Sequence, residues 1–282
     1  MVDRIEAQSN FCTVVESRLR QSIFATQKSI GAINRITPVR VLTLFHMTTE
    51  NLLLAVLPRE IYEKLAPKLK RVSLEQGTIL HHPGETIKTL YFPIDCLLSI
   101  TITMRDGSTA EAGMVGNREV IGVNAFMGGR ETTQTEYIVQ MAGSAIKVDA
   151  ETLLEEFDRN KDLRDVLLRY TQALIAQISQ TTGCNSLHVL DQRLARWLLE
   201  AQDRIDSDDL RLTQEFLGHM LGVRRAGVTQ AAQKLQERDL IRYNRGHVQI
   251  LDQQGLEASS CECFKVLRQE YDRLLGVKNR DG

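Results

Sequence analysis

A short stretch of the chain carries side chains that can hydrogen-bond to the edges of nucleic-acid bases. Arg224 and Arg225 are followed by Thr229, Gln230 and Gln233, at the spacing of one helical face. An arginine can donate two hydrogen bonds to guanine, and a glutamine can pair with adenine. Arginine and threonine also bind backbone phosphates, which fix the position of a protein on the duplex. These residue types therefore indicate a helix that reads double-stranded DNA.

The segment 214–233 has the residue pattern of a helix-turn-helix. Thr213 is a good N-cap for the first helix, because its hydroxyl can accept a backbone N–H that has no partner within the helix. Gly218 is small where the two helices must touch, and Gly222 stands at the turn, where a positive φ is needed. The pattern predicts a recognition helix over residues 224–236. A plain helical hairpin with a polar face is the alternative.

A basic β-hairpin is predicted after the recognition helix. The turn 244–246 separates two short apolar strands, which is the arrangement of a wing, and Tyr243, Arg245 and His247 can reach phosphates from it. Residues 211–249 hold seven basic and three acidic side chains, although the net charge of the whole chain is −1. An ordinary solvated face would also explain this charge. The acidic stretch 203–209 just before it is predicted to be a turn.

Residues 70–149 have the sequence pattern of β-structure. Short β-rich runs alternate with glycine or proline, which is typical of a β-sandwich or barrel, and Arg105–Ser108 is a good hairpin turn. We predict an N-terminal extension (1–46), a β-sandwich domain (47–158), a dimerisation helix with a hinge (159–190) and a DNA-binding domain (191–282).

A long helix is predicted from Lys161, with an apolar stripe close to a heptad seam. We favour this stripe as the contact between two identical helices in a dimer. Packing against the chain's own sandwich is the alternative. The stripe consists of Leu163, Val166, Leu167, Tyr170, Leu174 and Ile178.

The composition indicates a packed globular chain, with 43% hydrophobic and 25% charged residues. No apolar run is long enough for a membrane span, and no signal-peptide pattern follows Met1, so we expect a cytoplasmic protein. The chain has no phosphate-binding loop, nucleophile elbow, zinc-protease motif or dinucleotide fingerprint. We therefore expect no enzyme activity.

In this combination, a glycine-punctuated sandwich, a long helix and a winged helix-turn-helix, the chain resembles the Crp/Fnr family of bacterial transcription regulators. The resemblance covers roughly residues 50–260 and is most typical at 193–199 and 221–225. It implies an α+β protein with an N-terminal cyclic-nucleotide-binding-like jelly roll, a long connecting helix and a C-terminal winged helix-turn-helix. It also implies a homodimer on a palindromic DNA site, with RNA polymerase as a partner.

The nucleotide cassette departs from the family's cyclic-AMP-binding pattern. Val123 stands where those members have a glutamate, and Thr133 and Gln134 stand where they have an arginine and a serine. A buried phosphate without its counter-charge is costly, so we expect no control by cyclic AMP. Another effector would have to bind the polar side chains of this cassette. The candidates are Asn124, Arg130, Thr133 and Gln134.

No cofactor and no metal site is expected from the sequence. Cys12 is the only cysteine near the start, whereas the iron–sulfur members of the family have clustered N-terminal cysteines. Cys261 and Cys263 form the one close pair, but a single intervening residue is poor metal-site spacing, and no second pair lies nearby in sequence. The histidines 81, 82 and 188 are left unassigned.

The recognition helix departs from the family as well. Arg225 matches the arginine that reads guanine, but Ala226 replaces a glutamate and Gln230 replaces a second arginine. We expect DNA binding at a half-site other than TGTGA. Three alternatives remain open: a sensor of an unknown small molecule that controls DNA binding, a ligand-free regulator controlled by its abundance, and a protein-interaction adaptor that has lost DNA binding.

Overall fold

The structure is a computed structural model that describes residues 50–129 and 134–276. These residues belong to a unit that spans Met47–Gly282, separate from Met1–His46. The predicted extension 1–46, with Cys12, therefore lies outside the described residues. Within the described ranges, every helix is too short or too polar to span a lipid bilayer.

The first domain is an antiparallel β-sandwich, as predicted. Its two sheets have the strand orders β1-β7-β3 and β2-β6-β4-β5. Gly107 has a φ of +82° in the predicted turn between β4 and β5. The strands are β1 (Lys70–Leu74), β2 (Ile79–His81), β3 (Thr89–Pro93), β4 (Leu97–Thr103), β5 (Thr109–Val115), β6 (Glu136–Met141) and β7 (Gly143–Asp149).

Short helices flank the sandwich. Asn51 caps the first of them, since its Oδ1 accepts from the backbone N–H groups of Leu53 and Leu54, both at 3.1 Å. Its amide also donates to Pro93 O at 2.7 Å, so this buried side chain ties the helix to the sheet. The helices are α1 (Leu52–Ala55), α2 (Arg59–Leu65) and α3 (Ala150–Arg159), with 3₁₀ turns at Ala66–Lys68 and Val123–Phe126.

The long helix α4 spans Lys161–Leu187, and its predicted apolar stripe packs toward the sandwich. The first five stripe residues are buried inside their own chain, and Ile178 packs against the same core. Tyr170 Oη also donates to Val120 O at 2.7 Å, which anchors the helix to the sandwich. For the first five residues the choice of a dimer seam was therefore wrong, and they follow the intrachain alternative, whereas Ile178 is only partly buried there. The six residues that lie in or against the sandwich core are Leu163, Val166, Leu167, Tyr170, Leu174 and Ile178.

The C-terminal domain, which contains the helix-turn-helix, follows the long helix. Its helix α5 continues through Ile205, and Asp206 then turns the chain with a φ of +55°, so the predicted acidic turn is shorter than expected. A small sheet has the order β8-β10-β9. The elements are α5 (Leu190–Ile205), β8 (Asp209–Arg211), α6 (Gln214–Leu221), α7 (Arg225–Glu237), β9 (Ile241–Asn244), β10 (His247–Ile250), α8 (Gln253–Ser259) and α9 (Cys263–Leu275).

One hydrophobic core crosses the boundary between the two domains. Leu97, Met114 and Met141 of the sandwich belong to the same buried cluster as Trp197 and Leu198 of α5. The DNA-binding domain is therefore seated on the sandwich by apolar packing rather than by a free linker.

Candidate nucleic-acid interface

The predicted turn geometry of the helix-turn-helix is confirmed. Thr213 Oγ1 accepts the backbone N–H of Phe216 at 3.2 Å and so caps α6. Gly222 ends that helix with a φ of +63°. A Cβ on Gly218 would lie 2.9 Å from Val223 O, so only glycine lets the two helices approach this closely. The turn fixes the angle at which α7 leaves the domain.

The recognition helix α7 has one buried face and one exposed face. It starts at Arg225, with Arg224 as its N-cap, and ends at Glu237, one residue from the predicted bounds. Val228, Ala231 and Leu235 are buried against the domain. The side chains left on the exposed face are those predicted to read DNA, namely Arg224, Arg225, Thr229, Gln230 and Gln233.

Two arginines on this face are available to a ligand. Among the described residues, the guanidinium groups of Arg224 and Arg225 take part in no hydrogen bond or ion pair. The other polar side chains are partly engaged. The Thr229 hydroxyl lies 2.8 Å from Gln214 Oε1, and Gln233 Nε2 donates to Glu237 Oε1 at 2.9 Å. The arginines thus carry the positive charge that this face presents.

The predicted wing is formed by β9 and β10, joined through Arg245 and Gly246. Arg245 is exposed, with a φ of +43°, and His247 Nδ1 lies 3.5 Å from Asp209 Oδ1. Tyr243 is half-buried, and its hydroxyl donates to Leu212 O at 3.1 Å. Burial also raises the pKa of Tyr243. Tyr243 therefore holds the wing against the domain, in addition to any contact with a phosphate.

A cleft lies between the wing and the start of the two helices. Its volume is about 450 Å³, and it is lined by Thr213, Gln214, Arg225, Tyr243 and Arg245, among others. The N-terminus of α6 opens into this region, and helix N-termini attract anions through their unpaired N–H groups. Two arginines and a helix N-terminus make the cleft a suitable seat for a backbone phosphate, although the Glu215 carboxylate also borders it.

Buried charges join this domain to the sandwich. Arg204 Nε donates to Glu119 Oε2 at 3.2 Å, and Arg118 pairs with Asp203 beside it. Arg204 is fully buried, which disfavours its charged form, but the carboxylates of Glu119 and Glu200 outweigh that effect and raise its pKa. Breaking one member of such a network leaves a buried charge without its partner, which is costly. Sequence reasoning missed this network because its members are separated by about 85 residues.

The structure describes two of the four candidate effector residues, Asn124 and Gln134. Asn124 Oδ1 accepts from Tyr137 Oη at 2.8 Å, and Gln134 is exposed. Val123 is a buried core residue. The other two candidates, Arg130 and Thr133, lie outside the described residues.

The fold and the exposed basic helix define the class: a winged helix-turn-helix DNA-binding domain seated on a jelly roll. The family model of the Crp-like helix-turn-helix domain matches residues 192–259, and that of the cyclic nucleotide-binding domain matches residues 71–160. Together they cover more than half of the chain. No curated protein matches the chain significantly in sequence.

Solved structures show the same fold at low sequence identity. FixK2 from Bradyrhizobium japonicum is 14% identical, with a TM-score of 0.60, and the match covers 68% of this chain and 98% of that one. The c-di-GMP responsive global regulator CLP of Xanthomonas campestris is 16% identical, with a TM-score of 0.57 and coverage of 68% and 99%. A CRP/FNR-family transcriptional regulator from Thermus thermophilus is 19% identical, with a TM-score of 0.55 and coverage of 70% and 98%.

The chain belongs to the Crp/Fnr family, because it joins the two domains of that family in one polypeptide with the family's fold. It is a Crp/Fnr-like transcription regulator with a helix-turn-helix DNA-binding domain.

Proposed function

We propose that the protein is a homodimer that binds a palindromic DNA site through its recognition helix, without control by cyclic AMP. The observation that carries this proposal is the exposed face of α7, where Arg224 and Arg225 have no partner within the described residues. We further propose that it works in the cytoplasm, where its DNA is, and that RNA polymerase is its partner in transcription.

The DNA-binding mode follows from the geometry of the recognition helix. Arg225 is the first residue of α7, so its side chain is presented at the helix end that enters the major groove in helix-turn-helix proteins. Arg225 can donate two hydrogen bonds to guanine there, while Gln230 and Gln233, further along the same face, suit adenine. Arg245 on the wing and Thr213 at the cleft would bind phosphates on either side.

A different face of the long helix supports the homodimer. Leu168 and Ile175 are 47% and 55% exposed although both are large and apolar. They lie seven residues apart, and Gln172, Ser179 and Thr182 continue the 4-3 spacing of a heptad seam on the exposed side of α4. Two such helices related by a two-fold axis would bury this stripe. The two recognition helices would then reach successive major grooves, about 34 Å apart.

The absence of cyclic-AMP control is supported by the cassette. Val123 is packed into the hydrophobic core and cannot hold a ribose hydroxyl. The side-chain oxygen of Asn124 already accepts a hydrogen bond from Tyr137. Among the described residues of the cassette, Val123 and Asn124 offer a cyclic phosphate no positive charge to offset its desolvation.

Selection from random double-stranded DNA tests the proposal. The full-length protein is used at physiological salt, once without ligand and once with cyclic AMP at millimolar concentration. We expect the same palindromic motif from both selections, with half-sites about one helical turn apart. Binding of labelled cyclic AMP is measured in parallel, and none is expected.

Each other outcome contradicts a separate part of the proposal. A motif that appears only with cyclic AMP would refute independence from that nucleotide. A non-palindromic motif would refute the two-fold arrangement. No motif under either condition would favour control by another effector or an adaptor that no longer binds DNA.

A further inference from the structure

Four metal-ligating side chains meet at the C-terminal end of the long helix. Cys184 lies near the end of α4, and His188 is the C-cap residue one turn later. Cys263 is the first residue of α9, and Cys261 lies two residues before it. Their ligand atoms all lie within 4.8 Å of one another. The sequence-based expectation of no metal site considered only neighbours in sequence, whereas the fold supplies the other two donors from about 77 residues away.

The distances fit a single tetrahedral ion. With metal–sulfur bonds of about 2.3 Å and metal–nitrogen bonds of about 2.0 Å, ligand atoms at neighbouring corners are about 3.5–3.8 Å apart. Cys184 Sγ lies 3.5 Å from Cys261 Sγ, and Cys263 Sγ lies 3.6 Å from His188 Nδ1. The three thiols are free rather than disulfide-bonded. An iron–sulfur cluster would need its ligands spread around several iron and sulfide atoms.

We propose that this four-residue cluster binds one Zn²⁺ ion through three thiolates and the imidazole Nδ1 of His188. Three sulfurs and one nitrogen in a closed site are a donor set of structural zinc. Binding releases the three thiol protons to solvent and leaves a net charge of −1 on the site. The buried guanidinium of Arg196, which is paired with Glu200 at 2.7 Å, also interacts favourably with negative charge on Cys184 and Cys261.

The groups around the ligands also match a metal site. His188 Nε2, the nitrogen that does not face the thiols, lies 3.4 Å from Glu262 Oε2. A carboxylate in this position fixes the tautomer and the orientation of a ligating histidine. Gln180 Nε2 donates to Cys263 Sγ at 3.0 Å, which suits a thiolate acceptor.

The zinc ion would fix the hinge of the protein. α4 ends at Leu187 and α5, the first helix of the DNA-binding domain, begins at Leu190, so His188 stands in the connection between the two helices. The other two ligands fasten the start of α9 to the same point. Zinc would thus hold the last helix, the long helix and the start of the DNA-binding domain in one arrangement.

Metal content and cobalt spectroscopy test this proposal on the full-length chain. Protein purified in reducing buffer without chelators is expected to contain about one zinc per chain by mass spectrometry. Replacement by Co²⁺ is expected to give the visible bands of tetrahedral cobalt together with thiolate-to-cobalt charge transfer. Cys263→Ser and His188→Ala should lose the zinc. Cys96→Ser should keep the zinc, since Cys96 is a buried thiol of the sandwich that donates a hydrogen bond to Ser144 O.

A milder variant separates metal binding from folding. Glu262 is 70% exposed at its side chain, so Glu262→Gln should fold normally. It should weaken zinc binding about 10- to 100-fold in competition with a chromophoric chelator. The proposal is overturned if folded, reduced wild-type protein takes up neither zinc nor cobalt, if a Cys184–Cys261 disulfide forms in its place, or if Glu262→Gln leaves the zinc affinity unchanged.

Discussion

The indole Nε1 of Trp197 donates a 2.9 Å hydrogen bond to Oε1 of Glu111, and this bond joins the DNA-binding domain to strand β5 of the sandwich. The other oxygen of Glu111 accepts from Ser99 Oγ at 2.6 Å and from Gln140 Nε2 at 3.1 Å. The carboxyl group is fully buried, and this burial raises its pKa to about 7 despite those donors. The contact between the two domains therefore contains a group that titrates near neutral pH.

Stability should depend on pH through Glu111. Its pKa is 4.5 in the unfolded reference and about 7 when folded, so the folded protein binds the proton more tightly. The contribution of Glu111 to the free energy of unfolding should be complete at pH values below its unfolded pKa. This contribution should fall as the pH rises toward 7, by a total on the order of 3 kcal/mol. Glu111→Gln keeps an acceptor for Trp197 and should lose this fall in urea titrations. Glu63→Gln, on an exposed helix, is the control, and parallel curves for wild type and Glu111→Gln would refute the assignment.

The contact between the sandwich and the DNA-binding domain should not tolerate a side chain at Gly116. A Cβ there would lie 2.3 Å from Arg204 Cβ and 2.6 Å from Arg204 O, where Asn117 N now donates to that carbonyl. Gly116→Ala is expected to cost about 1–3 kcal/mol of unfolding free energy and to speed proteolysis of the 206–208 turn. Gly183→Ala is the matched control. Nothing lies within 4 Å of its new Cβ, and a helical glycine replaced by alanine should gain up to about 1 kcal/mol.

Base recognition should depend on Arg225. Arg225→Ala is expected to weaken binding to the selected site by about 1–3 kcal/mol and to remove the preference at one base pair of each half-site. Arg159→Ala, an exposed arginine of the sandwich, should leave binding unchanged. Fluorescence anisotropy on a panel of single-base variants measures both effects. An equal loss on every sequence would place Arg225 on a phosphate instead.

Dimerisation should respond to the exposed face of α4 rather than to its buried stripe. Ile175→Glu puts a charge into the proposed seam and should shift sedimentation toward monomer without lowering the unfolding temperature of the monomer. Ile79→Glu, on the edge of the sandwich, is the control. Leu167 is only 1% exposed, so Leu167→Ala should instead destabilise the fold by about 2–5 kcal/mol. Unchanged sedimentation of Ile175→Glu would exclude this face as the dimer contact.

The sequence predicts those parts of the molecule that depend on local residue patterns. Turn glycines such as Gly107 and Gly222 mark positive φ values, which explains why the hairpin and the helix-turn-helix were placed correctly. Thr213 and Phe216 are only three residues apart, so the cap is visible in the sequence. The exposed face of α7 follows from helical periodicity alone.

Features that arise from tertiary packing were not predictable in the same way. A helix with an apolar stripe can bury it against its own domain or against a partner. Burial of the stripe and the hydrogen bond from Tyr170 to Val120 O show that it packs against its own domain. The closeness of the Cys184 and Cys261 thiols depends on where the long helix meets the distant segment between α8 and α9. The charge network around Arg204 likewise joins residues that no short-range pattern connects.

The apolar core that runs from Met114 to Trp197 makes the two domains parts of one folding unit. A fragment that begins at residue 191 would expose Trp197 and Leu198, which are 1% and 0% exposed in the whole chain. Such a fragment would be prone to self-association, since a large apolar surface would face water. Heating the whole chain should therefore give one calorimetric transition across both domains. A conformational change in the sandwich would move the DNA-binding domain as a rigid body.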